Sequence, residues 1–442
     1  MGDTIKNYEF GLGGVNNVID PLKMAMNEAT QLQNAEVRQD ADAAGAAALV
    51  MRGGLAALNG SAMSGSVIGG MGWPLKTTYV RTIYAARGTE DSNTFRTSTN
   101  GTSWTDSSSP AAAAAIDKYT DQGNERDARR MVTFRTFILY PGNGYTQDTN
   151  NPIVVIWDGT TAVTVTGIPK GNAGVTNPPF AVVDMFVAEG FLYVLVHEPD
   201  GATEENGRVL RLSLDTGTLR QVAASFGGST SIGEVDGGHP ACMAFYKGQL
   251  FIGLNGNNTT DGVGKIVRCF PGVDTTWTTD VANLSGHISS LVVYKGKLYA
   301  GTHSSAASAE KVYERSPTAG TWAASFTGVG ADGNAHCAHG IVYGGNLYFA
   351  QYHATAPTIH IKKFDGSSWT TDRDVDSSDS GVAGNLPGGS CLGPNTDLFF
   401  VFRSTTTTAT DGFIMRLASG SWTKVSTDNY LGPIAVLVQR SA

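Results

Sequence analysis

Charge is the first thing this sequence lacks. Only 16% of its 442 residues are Asp, Glu, Lys or Arg, and the balance is acidic, with a formal net charge of −8. The 31 basic residues are scattered, so no electropositive stripe exists to follow a phosphate backbone, and direct nucleic-acid recognition is not expected. Long apolar runs are missing as well. Stretches such as Ala111 to Ile116 fall far short of a membrane span, and the opening MGDTIKNYEF has no basic-then-apolar leader. A protein made soluble inside a cell, with no membrane insertion, is expected. Cysteine is rare: Cys242, Cys269, Cys337 and Cys391 lie in the second half without CxxC spacing, which argues against a disulfide framework and predicts reduced, packed side chains.

What the chain has in plenty is Gly, 55 residues, together with Thr and Ser. That composition suits short strands joined by many turns, so the expected class is all-β. One ten-residue phrase recurs: YKGQLFIGLN from Tyr246, YKGKLYAGTH from Tyr294 and YGGNLYFAQY from Tyr343, with weaker copies around Leu192 and Leu398. Leu250, Leu298 and Leu347 hold the same place in the three clear copies, about fifty residues apart. Each phrase follows an apolar run and precedes a polar loop and an alternating run, and the units close on Trp277, Trp322, Trp369 and Trp422. Asp-Gly or Gly-Ser before the aromatic predicts a tight hairpin between third and fourth strands.

Two degenerate units precede these, one ending at Trp104 and one starting at Val132, which makes seven. Four strands per unit at a period of roughly 40–50 residues predicts a β-propeller. The run GPIAVLVQ, Gly432 to Gln439, resembles an inner strand with no hairpin after it, while the first unit begins abruptly near Thr77. The C-terminal strand is therefore expected to complete the first blade and close the ring. The expected domains are an extended N-terminal assembly arm over residues 1–70 and a propeller over 71–442.

The first seventy residues carry no blade pattern. They offer a Gly-rich entry, an Asp20-Pro21 turn and a short helix that Asn27 could cap, with Ala29, Leu32 and Ala35 on one face. The Ala- and Gly-rich stretch after it has too little apolar bulk for a core, so it is expected to pack on the propeller or a neighbouring subunit.

GGVNNVIDP followed by NEATQLQNAEVR, with a later RGG, resembles the N-terminal arm of tailed-bacteriophage virion proteins that carry a propeller, the tail nozzle proteins of short-tailed phages among them. The matching positions are Gly13, Gly14, Asn16, Asp20, Pro21, Glu28, Ala29, Asn34 and Arg38. After Arg38 the chain departs from such arms: it reads QDADAAGAAALVM where they turn basic and Gly-Pro-rich. The resemblance implies a structural component of the phage tail, a virion protein assembled in the host cytoplasm. It also implies a homohexameric ring that contacts the connector or adaptor, other tail proteins and tail fibres. A position on the tail exterior or at the head is the alternative, because long-tailed phages carry the arm too.

Candidate chemistry is thin. His239, His287 and His336 each stand eleven residues before the repeat leucine. Equivalent histidines in adjacent blades could hold a metal, or each could bond to the neighbouring blade; the second is expected, and no metal or cofactor. DRDVDSSD, with Asp372, Asp374, Asp376 and Asp379, imitates the start of a calcium loop but lacks the Gly and distal Glu, so a solvated loop is expected. RTSTNGTSW is a degenerate Asp-box with Thr99 where the Asp should fall. No GxSxG, HExxH, P-loop or dinucleotide fingerprint occurs, so the chain is not expected to be an enzyme. A fibre-type propeller binding host glycans through loops such as NGNNTTDG, or a glycoside-cleaving one, remain the other readings.

Overall fold

The structure is a computed structural model. It describes four short strands between Tyr8 and Met51 by their backbone, and the blades with their tight turns between Tyr79 and Arg440; the remaining residues lie outside the described set. The chain divides into two compact units, Met1–Lys76 and Thr77–Ala442.

In the first unit Tyr8–Leu12 pairs antiparallel with Val15–Ile19, and Ala35–Gln39 with Ala47–Met51. The segment expected as an extended arm thus contains two hairpins. Ala35, expected on a helix face, instead begins a strand, and Ala-Glu-Val-Arg-Gln has the two-residue alternation of one. The helix capped by Asn27, with Ala29 and Leu32, falls outside the described residues.

The second unit is a seven-bladed β-propeller, each blade a four-stranded antiparallel sheet. Blades 2 to 7 run outward from their inner strands in chain order; those inner strands are Val132–Phe134, Ala181–Ala188, His239–Tyr246, His287–Tyr294, His336–Tyr343 and Leu386–Leu392. Blade 1 is built from both ends of the ring. Tyr430–Arg440 is its inner strand and pairs with Tyr79–Thr89, register Val436↔Ile83 and Gln439↔Val80, with Ser92–Ser98 and Thr105–Asp106 outside. The closing strand lies where the sequence placed it, starting two residues earlier.

Apolar periodicity explains why seven blades make one body. The repeat leucines Leu192, Leu250, Leu298, Leu347 and Leu398 are completely buried. Seven hydrophobic clusters fill the seven joints, one per joint, from blades 2 and 3 (Leu139 with Met185) round to blades 7 and 1 (Phe399 with Ile83). All four cysteines are buried and free within this packing.

The recurrent Tyr-Lys-Gly now has a cause. Lys247-Gly248 and Lys295-Gly296 both adopt positive φ (50° and 76°, 44° and 72°), the paired left-handed residues of a two-residue hairpin turn. Tyr246 Oη donates to the Gly296 carbonyl of the next blade at 2.7 Å, and Tyr294 Oη to Gly345 at the same distance. Lys247 Nζ reaches Pro317 O at 3.0 Å and Lys295 Nζ reaches Asp365 O at 2.5 Å, again in the next blade. One tripeptide thus makes a turn and two links to its neighbour.

Candidate functional site

On the ring axis the seven inner strands enclose a cavity of about 480 Å³, to which every blade contributes. Runs of consecutive residues line it, Ser289 to Val293 and Gly388 to Leu392 for example, because the inner strand of a blade turns its free backbone edge toward the axis. Most inner strands also shift register there, between Val182 and Asp184, Pro240 and Cys242, Ile288 and Ser290, Ala338 and Ile341, and Pro387 and Gly389. Such bulges turn polar side chains sideways toward the next blade.

Those side chains stitch the joints. Thr133 Oγ1 of blade 2 donates to Val436 O of blade 1 at 2.6 Å. In blade 3, Asp184 accepts from its own neighbour Met185 N at 2.8 Å and from Met243 N of blade 4 at 2.7 Å, while only 1% exposed. Ser289 Oγ donates to Cys337 O at 2.7 Å, and Ser290 Oγ accepts from Gly340 N at 3.0 Å, tying blade 5 to blade 6. Ser390 Oγ of blade 7 donates to His339 O at 3.1 Å.

His339 stands out among the lining residues. Its φ is +54°, costly for a residue with a Cβ, and neighbours on both sides fix its peptide and ring. Its Nε2 lies 3.1 Å from Pro387 O, and since a carbonyl can only accept, Nε2 carries the proton. The sequence reading passed over this histidine; its signal was the His-Gly pair in HCAHGIVY, which breaks the apolar run of the other inner strands. Asp184 was missed too, a lone carboxylate inside VVDMFV. The cavity lining contains neither Lys nor Arg.

The three predicted histidines each open an inner strand. The His287 ring meets the His303 ring edge-on at 5.9 Å, and the backbone register sets His303 opposite His336. Among the described residues no set of three His, Cys, Asp or Glu side chains is arranged to hold a metal.

DRDVDSSD is not the solvated loop that its carboxylates suggested. Asp372 and Asp374 lie on the outermost strand of blade 6, Trp369–Val375, where Thr and β-branched neighbours favour an extended backbone. Asp372 accepts from Trp422 Nε1 at 2.7 Å, and Asp374 binds His360 Nδ1. Asp376 and Asp379 fall outside the described residues.

In RTSTNGTSW the working residue is Asn100, one place beyond the expected Thr99. Its Oδ1 accepts from Thr102 N at 2.9 Å and Ser103 N at 2.8 Å, while Gly101 takes φ +75°. Asp158 and Asp365 make the same turn in Asp-Gly-Thr-Thr and Asp-Gly-Ser-Ser. Backbone N–H groups of Ser368 and Ser367 hold the Asp365 carboxyl well below the usual range although it is exposed. These turns are Asx turns that close the third-to-fourth-strand hairpins.

Burial pushes the thiols of Cys337 and Cys391 well above their ordinary value and that of Cys269 to about 12, so all three stay protonated near neutrality. Of the arm residues, Asn16 and Arg38 lie on strands; Gly13, Gly14, Asp20, Pro21, Glu28, Ala29 and Asn34 fall outside the described residues.

No family model matches the chain, and no curated protein matches its sequence. Solved structures do. A protein from Lactobacillus plantarum is 14% identical, with 81% of this chain and 100% of that one covered and a TM-score of 0.54. The soluble aldose sugar dehydrogenase of Escherichia coli follows at 14% identity, 62% and 92% coverage and a TM-score of 0.41. A glucose dehydrogenase is similar at 14%, 66%, 96% and 0.42. At such identities the likeness reaches the fold alone. It nevertheless corrects one expectation: the solved propellers similar to this chain include enzymes by name, so the reading of the chain as a non-enzyme is withdrawn.

Proposed function

We propose that the chain is a structural component of a bacteriophage tail, nozzle-like, in which the N-terminal segment joins copies into a ring and the propeller forms a collar or fibre platform. The observation that carries the reading is the arm motif: Gly13-Gly14, Asn16 and Asp20-Pro21, followed by Glu28-Ala29, Asn34 and Arg38 at the spacing of virion arms. The propeller supports it by being tied at the axis, in the turns and through seven apolar clusters, which suits a part that must hold its shape. Symmetry then multiplies weak subunit contacts into a stable ring. Mass photometry and electron microscopy of the purified full chain test this: a hexameric ring is expected, and a persistent monomer that no virion antibody label detects overturns it.

A second reading attaches to the axial cavity, whose lining holds His339 and Asp184 but neither Lys nor Arg to neutralise an acid. It predicts a small uncharged ligand. Thermal-shift titration with neutral saccharides against sugar phosphates checks this: stabilisation by the neutral set, lost in His339→Ala, is expected, and preference for the phosphates rejects it.

A further inference from the structure

Three successive joints share a contact at the outer rim. Trp322 Nε1 of blade 5 donates to Asp280 of blade 4 at 2.7 Å, Trp369 Nε1 of blade 6 to Ser325 of blade 5 at 3.0 Å, and Trp422 Nε1 of blade 7 to Asp372 of blade 6 at 2.7 Å. In each case the acceptor stands three residues after the tryptophan of its own blade, Trp277, Trp322 or Trp369. The rule over blades 5 to 7 is therefore that each indole is received by the third residue beyond the indole of the blade before it.

At the joint of blades 7 and 1 the rule predicts a bond from Trp104 to the residue three beyond Trp422. That residue is Val425, which has no acceptor. Trp104 Nε1 is buried without a hydrogen-bond partner among the described residues, its ring set edge-on against Phe399 at 6.4 Å, and Val425 packs against the same apolar cluster. A buried unpaired donor destabilises the joint that contains it.

Charge bridges this joint without an indole, whereas at the joint of blades 4 and 5 the Arg315–Asp280 pair stands beside one. Arg87 Nη1 and Arg96 Nη1, both of blade 1, reach Asp428 Oδ2 of blade 7 at 2.5 and 3.0 Å, and Arg96 also donates to Ser426 Oγ at 3.3 Å. Asp106 of blade 1 faces the same two guanidiniums at 3.2 and 3.4 Å while 59% exposed. This joint differs from the others in one more way. Blade 7 runs on into the inner strand of blade 1, but the other three strands of blade 1 are held to that strand by a ladder of hydrogen bonds alone. Opening the ring here breaks no covalent bond.

We propose that the joint of blades 7 and 1 is an electrostatic clasp: the place where the ring opens first, held by Arg87, Arg96 and Asp428 where the indole latch of the three preceding joints is missing. Partly exposed ion pairs about 3 Å apart are well screened only when the Debye length falls to a similar size, near 1 M salt. Opening is therefore governed by ionic strength. The inference is independent of whether the chain serves in a virion.

Hydrogen exchange read by mass spectrometry on the full chain tests it, with Tyr430–Arg440 and Tyr79–Thr89 compared against the inner strand of blade 5, His287–Tyr294. Raising salt from about 0.05 M to 1 M is expected to speed exchange of the closing pair roughly fivefold relative to blade 5, the scale of one partly exposed ion pair. Asp428→Asn is expected to reproduce that increase at low salt. Val425→Ser, which copies Ser325 and offers Trp104 an acceptor, is expected to slow the closing pair, and Trp104→Phe, which removes the orphan donor, guards against misfolding of the first variant. Equal exchange in the two regions at every salt concentration, or an increase confined to blade 5, overturns the proposal. So does a closing pair that responds to none of the three substitutions.

Discussion

The rim and the axis of this ring are joined by opposite strategies. At the rim the same contact, indole to carboxylate or hydroxyl, is made at three successive joints, and between rim and axis the Tyr-Lys-Gly turns of the inner hairpins reach their neighbours in the same way twice over. At the axis the residue types change from joint to joint: a threonine serves between blades 1 and 2, an aspartate between 3 and 4, serines and a histidine between 5, 6 and 7, although Asp184 and Ser290 take equivalent backbone N–H groups, Met243 and Gly340, of the next blade. The difference follows from geometry. Both places sit on bulges, but the rim bulge recurs at one position of the outermost strand and mostly holds an acceptor, Asp280, Ser325 or Asp372, with Val425 the exception, whereas the inner-strand bulges hold unlike residues, Val183, Ala241, Ser289, His339 and Gly388.

Perturbations of decreasing size can break that comparison. Deleting the last ten residues removes most of the inner strand of blade 1 while leaving the rim tryptophans intact; loss of the cooperative thermal transition of the whole propeller is expected, and a truncated chain that melts like the intact one would show that the axis is dispensable. Asp184→Ala strips two buried backbone amides of their acceptor, and about 2–3 kcal/mol of stability is expected to go in urea unfolding. Trp322→Phe deletes one indole bond at the rim but keeps the ring, with an expected cost of about 1 kcal/mol by the same measurement. Lys295→Ala, an exposed lysine on a carbonyl, should cost under about 0.5 kcal/mol.

Acid offers a further way to sharpen the contrast. Burial works to raise the pKa of Asp280, but hydrogen bonds from Arg315 and Trp322 and the charges of Arg315 and Arg268 outweigh it, and the carboxyl titrates below its usual range. A carboxylate depressed on folding stabilises the fold above its unfolded pKa, near 4, and that stabilisation fades as pH falls below it. A plot of melting temperature against pH is therefore expected to drop below about pH 4, and Asp280→Asn to flatten the drop while lowering the plateau.

The repeating framework was the part legible in the sequence. Leucines, turn glycines and closing tryptophans recur because each blade solves the same packing problem, and the orphan run at Gly432 betrayed the closure because it had no hairpin. The axis stayed hidden for the converse reason. Asp184, Ser290, His339 and Ser390 each stand eight residues before a repeat leucine, but most differ in type, so nothing in their chemistry announced the shared place. Elsewhere local pattern competed with tertiary context: the alternating carboxylates Asp372 and Asp374 read as a loop because nothing in one strand announces the Trp422 and His360 that receive them. The three-residue spacing of Ala29, Leu32 and Ala35 suggested a helix face, although Ala-Glu-Val-Arg-Gln alternates like the strand that Ala35 begins.

Blade 1 takes its innermost strand from the far end of the ring, so Arg440 lies across from Tyr79 in one ladder. During synthesis the first three strands of that blade must wait for more than three hundred residues to be made before their partner exists. Contacts so distant in sequence form slowly. Until Tyr430–Arg440 arrives, the Tyr79–Thr89 edge stands open, and shielding it is the hazard the nascent chain has to survive.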